Sequence, residues 1–424
     1  MCVYYGRAPA FIFILSLLVL LSATSVHAQQ RVPLSIGEAE ALAIADEPGQ
    51  AALLARAAAL EEQAVAAAQL PDPTMRVGLA NFPISSGGFS TEGMTQAQLG
   101  FRQAFPRART FDAEAKRAEA SAFDQGANAR GRDVLTAVRK AWLDAYYAHQ
   151  SWLLLNESRP FFADLVTITR SLYSVGRKSQ HDVLRAELEL SRLDDRLIEA
   201  ARARAEAQAA LSRWLGEDAY RPVAPRLPTW PSPPAIEQLQ ARLAAHPSLA
   251  AADAGVSAKQ AAVRAAEENR KPGWALDLGY GYREGFLPNG DPRSDFVSLS
   301  VTVDLPFFGK NRQDRNLAAA LSERRAAASS QAALRARLAS ELNLEFARWT
   351  ELTRRLALYE SRILDQSSDQ AQAALLAYQS DAGDFADVMR ASIDDLNTRL
   401  EHIRQQVERA QSHAVLANLG GLES

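Results

Sequence analysis

A chain of 424 residues, 47% hydrophobic, 23% charged and 8% aromatic, has room for about three domains of ordinary size. Lys and Arg number 47 against 50 Asp and Glu, a formal charge of −3, so no basic surplus points to nucleic acid. One cysteine, Cys2, and six scattered histidines exclude a disulfide framework, a thiolate zinc site and a cysteine nucleophile in any form that loses its N-terminus.

Residues 1–28 read as a secretory signal peptide. Arg7 supplies positive charge, residues 11–21 are apolar, and Val26-His27-Ala28 is a small-x-small cleavage site. Cleavage after Ala28 removes Cys2, and Gln29 leaves no lipidation cysteine at the new start. An uncleaved anchor helix is the other reading. No second apolar run is long enough to suggest a multi-helix membrane protein, and mean hydropathy is −0.19.

An Ala-rich helical stretch follows at 35–69, then a short β-patterned pair at 74–105, then a very long helical stretch at 108–216. In the last, Leu135, Val138, Trp142, Ala145, His149 and Trp152 step by three and four, as do Val183, Ala186, Leu190, Leu193 and Leu197. That is a seam for helices packed at a shallow angle over a long distance. A break at Val175-Gly176 makes the stretch two helices joined by a tight turn. The first limb, roughly 65 residues, would be about 100 Å long. Pro160 falls inside it and should kink or split it.

A proline-rich linker occupies 221–234 (RPVAPRLPTWPSPP) and can be neither helix nor central strand. Beyond it the same order recurs at 235–270, 274–305 and 310–419, with a break at Asp381-Ala382-Gly383. Local echoes support a duplication. Asp46-Glu47-Pro48 matches Ala245-His246-Pro247, and Phe105-Pro106 matches Leu305-Pro306. Tyr173-Ser174-Val175-Gly176 with Asp182-Val183 matches Tyr378-Gln379-Ser380 with Asp387-Val388, and Trp214-Leu215-Gly216 matches Asn418-Leu419-Gly420. The reading is therefore two structural repeats, 29–220 and 235–424.

The β segments carry the most information. In 295–305 one face reads Val297, Leu299, Val301, Val303, Leu305 and the other Ser298, Ser300, Thr302, Asp304. In 274–283 Trp274, Leu276, Leu278, Tyr280 and Tyr282 oppose Asp277, Gly279, Gly281 and Arg283. Segment 95–105 alternates likewise, with Arg102 on its polar face, and 75–83 alternates less cleanly. Strands of about ten residues with one apolar and one polar face match transmembrane β-barrel strands. A soluble sheet packed on helices also alternates, but Arg102, Asp277, Arg283 and Asp304 suit a water-filled lumen. Four strands cannot close a barrel, and lipid does not tolerate an open edge. Several chains must then contribute: two would give a filled eight-stranded barrel, three a twelve-stranded one with space for a pore. The polar, turn-rich loops 85–94 and 285–294 suit the exposed end.

At these residues the sequence resembles the TolC family of outer-membrane efflux channels over essentially its whole mature length. Leu70-Pro71-Asp72-Pro73 leading to Gly78 and Asn81-Phe82-Pro83 is similar to the first-strand motif of the heavy-metal-efflux branch, CusC-like and CzcC-like. So are 100–107 (GFRQAFPR) and, in the second copy, 304–310 (DLPFFGK). The Tyr-x-x-Gly turn followed by Asp-Val is similar to the family's periplasmic hairpin tip.

The resemblance implies a mainly helical fold with a small membrane β part: long α-helical hairpins forming an α-barrel, and four transmembrane strands per chain. It implies a homotrimer in outer-membrane lipid that reaches into the periplasm. The tip would dock a periplasmic adaptor (membrane-fusion) protein and an inner-membrane pump of the proton-driven RND type. The channel would be passive, with neither catalytic residues nor cofactors. The residues agree: there is no Gly-rich phosphate loop, no nucleophile–base spacing and no HExxH motif.

By the same resemblance, Asp387 stands where a carboxylate narrows the closed aperture, with Asp182 as its first-copy partner. Three residues on, where some members carry another acid, this chain has Arg390 and Arg185. Asp387 and Arg390 could equally form an exposed helix pair, worth a few tenths of a kcal/mol. Tyr173 and Tyr378 either brace the closed tip or simply pack. Gly176, Arg177, Lys178, Asp381 and Gly383 are candidates for adaptor docking. Arg177 and Lys178 differ from Ala382 and Gly383 at the matching turn, and an asymmetric tip would suit two unlike adaptor contacts.

No metal site is read. His149, His181, His246, His402 and His413 form no close-spaced cluster, and the other methionines are Met75, Met94 and Met389. His149 lies on the helical seam. His181, beside Asp182, is either a solvated tip histidine or a group that meets metal at the aperture. The leading expectation is a trimeric conduit exporting metal cations. The alternatives are a drug-efflux or type I secretion channel and, in another class, a non-conducting periplasmic coiled-coil scaffold.

Overall fold

The protein was analysed as a computed structural model that describes residues 32–45 and 47–422. The leader read over 1–28, its cleavage site and Cys2 lie outside the described residues. Two helices open the described chain, α1 (Ile36–Ala45) and α2 (Pro48–Ala68). Strands β1 (Thr74–Ala80) and β2 (Gln96–Phe105) follow, then the long helices α3 (Arg109–Ser174) and α4 (Gln180–Leu215) and a 3-10 turn at Gly216–Tyr220. After the proline-rich segment come α5 (Ile236–Leu243), α6 (Pro247–Glu268), β3 (Gly273–Tyr282) and β4 (Phe296–Asp304). A 3-10 turn at Gly309–Asn311, α7 (Gln313–Leu358), a π turn at Tyr359–Ile363, α8 (Leu364–Gln379) and α9 (Phe385–Gly420) complete it. The molecule is mostly helical with one small four-stranded antiparallel sheet.

Three local features depart from the sequence reading. Each Ala-rich stretch is two helices rather than one, broken where Glu47 and His246 precede a proline. Proline disfavours helical backbone in the residue before it and suits the first helical position. Both preceding residues serve as N-caps: Glu47 accepts from the Gln50 amide and His246 Nδ1 from the Ser248 amide, at 2.5 and 3.2 Å. Second, Pro160 does not split α3, which runs 66 residues, about 100 Å at 1.5 Å per residue. Pro160 and Asn156, whose carbonyl the proline leaves without its helical donor, are both exposed, so water can satisfy that carbonyl. Third, the matching limb of the second half carries the π turn between α7 and α8 instead of a proline.

Sequence dictates the layering. Toward the sheet, α3 packs against α2 and α6, and α6 against α7. Toward the other end, α3 packs against α4 and α9, and α9 against α7 and α8. In between, Val134, Val138, Trp142, Leu143 and Ala145 of α3 form a buried core with Leu34, Ile36, Leu211 and Val223. The Trp142 indole donates to the Leu34 carbonyl at 3.0 Å. Leu34 and Val223 form a parallel bridge that pins the proline-rich segment to the start of the described chain. His413 packs on Trp230 and contacts the Pro231 carbonyl at 3.0 Å. Burial holds the His413 imidazole below its usual range. His149 lies half-buried on the seam, and burial and Arg204 lower its pKa.

Candidate functional site

The sheet order is β1-β2-β3-β4, antiparallel throughout, so β2–β3 joins the two halves of the chain and β1 and β4 are open edges. Register gathers the apolar residues onto one face: Val77 pairs with Leu99, Leu99 with Tyr280, and Tyr280 with Val297, while Phe101, Leu278 and Leu299 form a neighbouring row. Among the described residues no helix covers this face. Val77 is 72%, Leu278 50% and Leu299 69% exposed. A sheet packed on this chain's own helices would bury these side chains. Each would gain about 1.5–3 kcal/mol from leaving water.

The polar face holds the residues expected in a lumen. Arg102 and Asp277 stand opposite each other in register, 3.6 Å apart, and Thr302 donates to Asp277 at 2.9 Å. Asp304 pairs with Arg107, just past β2, at 3.1 Å. Arg283 lies one residue beyond β3. It donates to the Ser294 and Gly93 carbonyls and lies 3.8 Å over the Phe296 ring, so it fastens the two outer loops together.

At the far end the two hairpins turn by the same backbone device. The Arg177 amide donates to the Leu172 carbonyl at 2.9 Å, and the Ala382 amide to the Ala377 carbonyl at 2.8 Å. These six-to-one bonds need a left-handed residue, which Gly176 (φ +74) supplies in one turn and Asp381 (φ +65) in the other. A Cβ on Gly383 would meet Ala377 Cβ at 3.1 Å, so that turn is closely packed.

The two turns lie side by side. Lys178 bonds Asp381 at 3.0 Å, Arg177 approaches the same carboxylate at 3.9 Å, and the Lys178 ammonium sits 4.7 Å from the Tyr378 ring centroid. The Lys178 bond holds the Asp381 carboxyl below the usual range, and the same bond raises Lys178. Tyr378 is 1% exposed and meets the edge of Phe385 at 5.5 Å. Phe162, Leu165, Ala186, Val388, Met389 and Leu396 close the core beneath it.

The aperture candidates thus separate. Asp182 is half-buried and taken up by a capping box: it accepts from the Ser179 amide and hydroxyl at 3.1 and 2.8 Å. Asp387 is exposed and accepts from Arg390 at 3.1 Å, three residues on. Arg185 is half-buried and makes no ion pair among the described residues. Tyr173 is 47% exposed, unlike its buried counterpart. His181 is exposed. Among the described residues no group of three or more His, Cys, Asp or Glu is placed to hold a metal ion, and no helix is long and apolar enough to cross a membrane.

Sequence reasoning missed the Lys178–Asp381–Tyr378 contact between hairpins. The signal was faint: Lys178 stands at the position of Gly383, so one turn carries an ammonium where the other has no side chain. It also passed over Arg76, which register places on the polar face beside Gly100.

No family model matches the chain. Protein CyaE of Bordetella pertussis is 29% identical over 341 residues, 74% of this chain and 69% of CyaE. Among solved structures, the transmembrane channel protein CusC superposes with a TM-score of 0.76 at 15% identity, covering 92% of this chain and 93% of CusC. The outer-membrane channel OprN gives 0.75 at 17% identity, with 91% and 90% covered. The outer-membrane channel CmeC of Campylobacter jejuni gives 0.75 at 13%, with 91% and 85% covered. At such identities the likeness is one of fold. It defines the class: long helices and a small four-stranded sheet in the arrangement of TolC-like outer-membrane channels.

Proposed function

We propose that this chain is one subunit of a homotrimeric channel in a bacterial outer membrane, the passive outer conduit of a tripartite efflux system. The observation that carries the reading is the sheet: one face mostly apolar and exposed, the other polar, both edges unpaired among the described residues. An open edge is untenable in lipid, so sister copies must complete the cylinder. Three copies supply twelve strands, enough to leave a bore. The helical layers support the same closure. Leu54 and Val65 on α2, Leu184 and Leu188 on α4, Leu344 on α7 and Leu376 on α8 are exposed, on helices that end the packing orders α2–α3–α6–α7 and α4–α3–α9–α8. Unlike borders meeting head to tail generate a ring.

On this reading 1–28 is the export signal, and 29–220 and 235–424 are tandem repeats joined by 221–234. The tip residues Gly176, Arg177, Lys178, Asp381 and Gly383 meet a periplasmic adaptor, an inner-membrane pump of the RND type supplies the work, and Asp387 with Arg390 narrows the closed end. The motif resemblance points to metal cations as cargo. The alternative cargoes are drugs or, as in a type I secretion system, protein. No residue acts catalytically.

Reconstitution in planar bilayers with native mass spectrometry from detergent tests the reading. A trimer with discrete conductance steps is expected. A monomer that stays soluble without detergent and conducts nothing leaves the periplasmic scaffold instead. Val301→Arg should impair assembly, because an arginine facing mid-bilayer lipid costs about 2–4 kcal/mol. Normal assembly would mean the faces are reversed.

A further inference from the structure

The strand charges on the polar face of the sheet sum to zero but are unevenly paired. Taken strand by strand, its charges are Arg76 on β1, Arg102 on β2, Asp277 on β3 and Asp304 on β4. Arg102 faces Asp277 at 3.6 Å, and Asp304 is held by Arg107 at 3.1 Å. Arg76 is exposed and has neither an ion pair nor a hydrogen bond among the described residues. Its row continues through Gly100 and Gly279 to Ser298, and the next row through Gly78, Gln98 and Gly281. Four glycines therefore floor the area around this guanidinium. Two of them are crowded: a Cβ on Gly279 would meet Ser298 Oγ at 2.5 Å, and one on Gly281 would collide with the Gln96 side chain. Ser298 and Gln96 thus lie flat over the glycine backbone, in a concavity of about 860 Å³. The rest of the lining includes the hydroxyls and amide of Gln98, Ser300 and Thr302, the Phe296 ring and the Arg102–Asp277 pair. Among the described residues no carboxylate pairs with Arg76: Asp277, the acid of the same concavity, is taken up by Arg102, and a low floor leaves the Arg76 guanidinium open to the water above.

We infer that Arg76 sets the ion preference of the β-lined stretch, making it favour anionic over cationic solutes. The inference rests on the proposed barrel, in which each subunit adds one such arginine to a single level of the bore. Clefts lined by one sign of charge with low-dielectric walls concentrate the opposite ion. Free metal cations would then be the disfavoured solutes here, so Arg76 also discriminates between the cargo readings.

The local potential can be read with a reporter cysteine, since Cys2 is the chain's one cysteine and lies in the expected signal peptide. Gln98→Cys, exposed and in the row next to Arg76, is reacted in reconstituted channels with an anionic and a cationic methanethiosulfonate. At roughly 0.01 M salt, where the Debye length is ~30 Å, the anionic reagent should be favoured, and Arg76→Gln should lower the anionic-to-cationic rate ratio by about twofold or more. Arg76→Glu should lower it further, whereas Arg76→Lys should preserve it. Bilayer reversal potentials should shift toward cations in the same order. An unchanged rate ratio in conducting Arg76→Gln channels overturns the inference and leaves the channel standing. A parent protein that conducts nothing overturns the channel reading, and the inference with it.

Discussion

The two hairpin tips share a backbone device, and even some residue types, but differ in what their side chains touch. Both end their first limb with the same six-to-one hydrogen bond and a left-handed residue. In the first, glycine takes that conformation and the next helix is locked by the Ser179–Asp182 box. In the second, Asp381 takes it, Asp384 makes no side-chain cap, and a buried tyrosine replaces an exposed one. The comparison shows how two turns of one backbone geometry diverge in what their side chains do. One copy spends its polar groups on holding its own turn, while the other offers Asp381 and Tyr378 to its neighbour's lysine and leaves Asp387 facing water.

The largest expected contrast is at the tyrosines. Tyr378→Ala should cost about 3–5 kcal/mol, as large aromatic truncations in a core do, while Tyr173→Ala should stay within about 0.5 kcal/mol. Hydrogen exchange of the tip amides in the assembled protein would read both; equal losses would erase the distinction. Next come the left-handed positions. Gly176→Ala should cost roughly 1–2 kcal/mol. Asp381→Asn should keep its turn, because asparagine tolerates that conformation, yet lose the ion pair with Lys178 and loosen the contact between the two turns.

Smaller again is the cap. Ser179→Ala should cost about 1 kcal/mol and fray the start of α4. Asp384→Ala should fray α9 less, having no side-chain cap to lose, and amide exchange in the two first turns measures the difference. The smallest stability effect is at Asp387. Asp387→Ala should cost a few tenths of a kcal/mol, as an exposed i,i+3 pair does, while raising single-channel conductance. Asp182→Ala should open the capping box without that rise.

Acidity sharpens the same contrast. Asp381 has a lowered pKa, so its bond stabilises the tip at pH above the unfolded value near 4 and is lost as pH falls through the lower folded value. Lys178 is raised, so its share is present below about pH 10 and lost above the folded value. Tip stability, read as amide protection factors, should be flat between these limits and fall below about pH 4. Lys178→Ala should remove that part of the acid dependence.

The strands were legible because a period of two states which residues share a face, and register then aligned Val77, Leu99, Tyr280 and Val297 as the alternation implied. The hairpin breaks were legible because glycine and polar residues interrupt a long apolar seam. Pro160 misled in part: a proline removes one helical bond, and an exposed position lets water replace it. The splits at Glu47-Pro48 and His246-Pro247 were written in the chain, as acceptor side chains before proline, but the surrounding alanines masked them. The Lys178–Asp381 bond was not legible, since its partners lie in different halves and only tertiary packing brings their turns together. Arg76 was hidden by a strand that ran into Asn81 and Pro83 without a clean alternation.

Each chain ends in two unlike unpaired strand borders. In a head-to-tail ring, a subunit spoiled at one border still joins a neighbour through the other and prevents closure. Such an allele should be dominant over the normal gene. In the proposed trimer, equal synthesis from both and random mixing would leave roughly one ring in eight free of the defective product.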